Sequence, residues 1–286
     1  MIALKTHGRT PDQIAFSPDG TLLGVSGMGL SLRVYDTFGG ELLWQTEPRE
    51  RDMRIGNVHF SPDSRHVFMV WIPELVFDAR TGKPNDTLPE DRQPGGAEWS
   101  SVDMLAHGVG GGVLSSDGRW ASGPQPLMLT DRHTERRIDF YPFMGLGHNE
   151  KKEFPLWALA PMTFSPDGSL FVGADTVRLH VFRCEDLIAL AAVDRKKTRK
   201  LPVTHAIATL KSVRKHFQSA VFTPDGGGLM TGTNDGLVRV WDTATWQDRS
   251  VYDWKTGPVK GLTLSADGTR AAVAGTRKIV IWDLDG

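Results

Sequence analysis

A chain of 286 residues with 40% hydrophobic content can build a sizeable core, and a formal net charge of -1 excludes any global attraction for nucleic acid or an anionic membrane. A single cysteine, Cys184, excludes an internal disulfide framework, and nine scattered histidines spell out no structural zinc site. No apolar run approaches ~18 residues and the first residues read as a strand rather than a signal peptide, so a cytoplasmic protein without a membrane segment is expected.

In chain order, the first expected element is a strand at Ile2-Ala3-Leu4-Lys5-Thr6-His7. A short phrase then appears at Phe16-Ser17-Pro18-Asp19-Gly20 and returns at Phe60 to Ser64, Leu114 to Gly118, Phe164 to Gly168, Phe222 to Gly226 and Leu264 to Gly268. Each copy is followed by an apolar strand with a polar stop: Val34-Tyr35-Asp36, Val76-Phe77-Asp78, Leu129-Thr130-Asp131, Val181-Phe182-Arg183, Val240-Trp241-Asp242 and Ile281-Trp282-Asp283. This is a repeat protein.

The phrase has a physical meaning. Proline presets φ for a type I turn, aspartate bonds the local backbone, and glycine takes the left-handed φ that closes a hairpin. Two strands therefore meet at every copy, and Asn234-Asp235-Gly236 supplies a further turn before the third strand. That third strand barely alternates, as Lys278-Ile279-Val280-Ile281-Trp282 shows, which calls for a sheet covered on both faces. Four-stranded antiparallel sheets stacked radially about an axis meet these demands.

The residues here resemble the tryptophan-aspartate (WD) repeat family of β-propellers, and the resemblance covers nearly the whole chain. Its best copy is residues 211 to 246, with Phe222-Thr223-Pro224-Asp225-Gly226, Thr231-Gly232-Thr233-Asn234-Asp235-Gly236 and Val238-Arg239-Val240-Trp241-Asp242. The turn phrases start at 16, 60, 114, 164, 222 and 264. A seventh blade would need one gap of two repeats, roughly 80 residues at ~40 to 45 per blade, and no gap is that long. The fold expected is an all-β propeller of six four-stranded antiparallel blades, with seven as the alternative, forming a single domain over residues 1–286. In this family the outermost strand of a blade precedes the first strand of the next. Residues 2 to 6 should accordingly pair with residues 278 to 283, leaving no long edge open.

Irregular segments carry the functional expectation. Long connections run from Lys83 to Ser101 and from Phe140 to Trp157, and a turn at Trp71-Ile72-Pro73-Glu74 places an aromatic where polar residues are usual. The family's topology puts these on one face. Trp71, Ile72, Tyr141, Phe143, Met144 and Trp157, with Trp99 beside them, form the expected binding patch for a protein or peptide, the competing reading being that the loops fold back and cap the disc. A short helix is expected at residues 185–194, acids first and the basic run Arg195 to Lys200 after it, with Arg132, Arg136 and Arg137 nearby. That cluster either holds an acidic partner or is a solvated basic loop.

Catalytic signatures fail on context. Ser212-Val213-Arg214-Lys215 and Lys255-Thr256-Gly257 mimic serine β-lactamase motifs but lack the S-D-N between them, and Gly108 to Gly112 lacks the spacing of a phosphate loop. An axial metal would need acids or imidazoles at the mouths of the innermost strands. Those twelve aligned positions hold one acid, Asp12. The expected function is a non-catalytic scaffold or adaptor, a monomer without cofactor, metal, nucleic-acid or membrane partner. The alternative is a small-ligand binder or hydrolase using the central channel. In the WD family a His, Ser/Thr, Asp, Trp hydrogen-bond set often rigidifies a blade; no blade here has all four, so apolar packing is expected to dominate.

Overall fold

The computed structural model describes residues 1–5, 11, 13–27, 32–47, 58–69, 76–84, 113–124, 127–139, 162–174, 177–190, 205–212 and 216–284. These form six antiparallel sheets. In the first, β2 (Gln13–Phe16), β3 (Leu22–Ser26), β4 (Arg33–Asp36) and β5 (Leu42–Gln45) lie in chain order. The second has β6 (Val58–Phe60), β7 (His66–Met69) and β8 (Val76–Asp78), and Pro84 bridges to Phe77 beside it. The third is β9 (Val113–Leu114), β10 (Trp120–Pro124), β11 (Leu127–Asp131) and β12 (Arg136–Asp139). The fourth is β13 (Met162–Phe164), β14 (Leu170–Ala174), β15 (Arg178–Arg183) and β16 (Ala208–Lys211); the fifth is β17 (Phe217–Phe222), β18 (Gly228–Thr233), β19 (Leu237–Asp242) and β20 (Asp248–Asp253).

The sixth sheet joins both ends of the chain. Strands β21 (Val259–Leu264), β22 (Arg270–Gly275) and β23 (Lys278–Asp283) are completed by β1 (Ile2–Lys5), with Ile2 opposite Ile281 and Lys5 opposite Lys278. This all-β arrangement of repeated four-stranded antiparallel sheets fits a β-propeller.

Each described core cluster is a seam between two sheets, which explains why the third strands do not alternate polar with apolar. In β23, Ile279 and Ile281 face Ile14, Phe16 and Tyr35 of the first sheet, while Val280 and Trp282 belong to the cluster with Met230 and Val238 of the fifth. Both faces are thus apolar because both are covered. Similar clusters join the first sheet to the second, the third to the fourth and the fourth to the fifth. The innermost strands follow the same sequence of neighbours: β9 beside β13, β13 beside β17, β17 beside β21, β21 beside β2 and β2 beside β6.

One helix, α1 (Cys184–Leu190), follows β15. It buries Cys184, Leu187 and Ile188 in the seam of the third and fourth sheets. Glu185 and Asp186 stand in its first turn as expected. The expected extension to residue 194 and the run Arg195 to Lys200 lie outside the described residues. Sequestered apolar surface holds the described turns of this element in place.

Candidate functional site

The six turn phrases build one repeated device. In the first, the Ser17 hydroxyl donates to Asp19 Oδ1 at 2.6 Å and accepts the Leu22 N–H at 2.9 Å, and Asp19 accepts the Thr21 N–H at 3.0 Å. Equivalent bonds recur at Ser61–Asp63, Ser115–Asp117, Ser165–Asp167, Thr223–Asp225 and Ser265–Asp267. Hydrogen bonds to the ionised form hold each of these carboxyls below its usual range, and Asp267 reaches about 2 through the Ser265 hydroxyl and the Thr269 N–H. The turn-closing residue has φ near +70° at Gly20, Gly118, Gly168, Gly226 and Gly268. In the second copy that place is taken by Ser64 at φ +62°, whose hydroxyl accepts the Asp19 N–H from the first sheet at 3.0 Å. A cross-sheet bond thus accompanies the backbone strain.

Neighbouring turns touch one another, so they share a face. Ser116 donates to the Pro166 carbonyl, and a Cβ on Gly268 would stand 3.2 Å from Pro224. Arg270 ties the sixth sheet to the first. Its guanidinium donates to the Gly20 carbonyl at 2.5 Å and to Thr37 Oγ1 at 2.9 Å, and lies over the exposed Phe38 ring at 4.4 Å.

On this face a half-open cleft of about 260 Å³ separates the third and fourth sheets, lined among others by Asp117, Arg119, Asp167, Arg183, Cys184 and Glu185. Arg119 organises it. It meets Asp131 at 3.0 Å and Glu185 at 2.6 Å, and packs over Trp120 at 4.3 Å. Burial works to raise the Asp131 carboxyl, but the Arg119 guanidinium and the His133 N–H prevail and hold it at about 2. Cys184 is fully buried, and its thiol is pushed far up by that burial and by Glu185, Asp117 and Asp167, so it is no nucleophile. Helix α1 packs against β11 and β12, which brings it close to exposed Arg132 and Arg136, as the sequence suggests.

Trp71, Ile72, Tyr141, Phe143, Met144 and Trp157, as well as Trp99, lie outside the described residues. Of the aligned channel-mouth positions, Gln13, Gln218, Ser219, Lys260 and Gly261 are described and none is an acid or imidazole. No group of three or more metal-ligating side chains is gathered among the described residues.

Part of the polar set expected inside a blade is present in the fifth sheet. There Trp241 Nε1 donates to Thr231 Oγ1 at 2.9 Å, both buried. In the sixth, Trp282 stands opposite Ala271 just as Trp241 stands opposite Leu229, and two residues further along the strand Val273 occupies the place of Thr231. Trp282 is 4% exposed and its indole N–H finds no acceptor among the described residues. Val273→Thr should supply one and stabilise the protein by about 1 kcal/mol, raising Tm by roughly 2–4 °C. A fall in Tm would show that the new hydroxyl does not reach the indole.

Residues 207–242 match the family described as WD domain, G-beta repeat. The chain carries a WD repeat there. The matched segment begins at the outer strand β16 of the fourth sheet and ends with β19 of the fifth, so a WD repeat straddles two sheets and lends its first strand to the preceding one. The match overlaps the best copy in the sequence, 211 to 246, and starts four residues earlier, so that it takes in the whole of β16. Pre-mRNA-processing factor 19 of Oryza sativa subsp. japonica is 34% identical over 73 residues, 26% of this chain and 14% of that protein. Pre-mRNA-processing factor 19 homolog 2 of Arabidopsis thaliana is 34% identical over 68 residues, 24% of this chain and 13% of that protein. The chain spans about one seventh of the length of either relative. Both relatives are named for pre-mRNA processing, a nuclear process, and this overturns the cytoplasmic expectation, which rested only on the lack of export and membrane signals in the sequence.

Proposed function

We propose that residues 1–286 form a single six-bladed propeller, latched by β1 in the last blade, that works as a non-catalytic scaffold for a protein or peptide. The observation that carries this reading is the WD repeat at 207–242, set among sheets of the same build. Rigid seams and turn networks suit a platform whose variable loops do the binding. Partner contact is assigned to the loops bearing Trp71, Ile72, Tyr141, Phe143, Met144 and Trp157, where aromatic side chains at loop tips make energetic anchors. The scaffold acts as a monomer, without cofactor.

Trp71→Ala combined with Phe143→Ala tests the assignment. Pull-down with mass spectrometry should lose the partner recovered by the wild type, while Tm stays within a degree or two. A collapse of Tm would make those side chains core, and unchanged recovery would move the binding surface elsewhere.

A further inference from the structure

We draw no further inference here: the strongest candidate, the half-open cleft between the third and fourth sheets lined by Asp117, Asp167, Glu185 and the buried Cys184, is an acidic cluster beside a lone thiol, and nothing in the structure shows a ligand for it.

Discussion

Deleting residues 1–5 will lower Tm by about 10 °C or more and turn the protein toward oligomers at micromolar concentration. Leu4 is 4% exposed and Ile2 packs on the same seam, so the deletion forfeits the burial of two large aliphatic side chains, about 3–5 kcal/mol together. The loss reaches the first sheet as well: Gly40, at φ +75°, lies so close beneath β1 that a Cβ there would be 2.5 Å from Ile2 Cγ2. Removal of the strand also strips β23 of its outer partner along four register pairs, from Ile281 to Lys278. An uncovered edge of this kind pairs with whatever strand it meets. Thermal melts and size-exclusion chromatography of the deletion variant read both effects. A variant that elutes and melts with the wild type would show that the strand contributes nothing to the last sheet.

Asp131→Ala will cost about 3 kcal/mol at neutral pH, the lower end expected for breaking a buried ion pair, because Arg119 keeps Glu185 and is 28% exposed. The pH dependence has a definite sign. Asp131 is held at about 2 in the folded chain, below the ~3.9 of an unfolded aspartate, so its contribution is complete above that upper value and fades as pH falls through the lower one. Urea titrations of wild type and variant should therefore differ fully at pH 6 and converge toward pH 2. A gap that persists at pH 2 would assign the cost to lost packing rather than to the charge.

The sequence made the repeated parts legible because each is a local decision. A serine or threonine with an aspartate two residues on, closed by glycine or once by Ser64, determines a turn from its own four residues, and the structure has that turn six times with the same hydrogen bonds. The apolar run from Ile279 to Trp282 announced a strand covered on both sides, and its residues divide between two seams. Pairing of β1 with β23 was legible too, since the phase of the repeat leaves one strand over at the start and the last blade one strand short. Contacts that depend on what another sheet places opposite were not. Nothing near Arg270 in sequence points to Gly20 or Thr37, and nothing near Trp282 shows that Val273 leaves its indole unmatched. Within α1 the acids of the first turn were legible, while the burial of Leu187 and Ile188 in the seam of the third and fourth sheets depends on what those sheets place opposite.

The central claim, that the two ends of the chain share one sheet and so latch the ring, is tested most directly by cross-linking. Opposed residues in an antiparallel pair alternate between close and wide spacing, so one of the double variants Ala3→Cys with Val280→Cys, or Leu4→Cys with Ile279→Cys, places its thiols within disulfide reach. Cys184 does not compete, being fully buried. Mild oxidation should give a monomer in which peptide mapping links the first residues of the chain to residue 279 or 280, with a raised Tm. If both variants remain reduced, or link only between molecules, the ends do not meet in one sheet and the latched propeller is wrong.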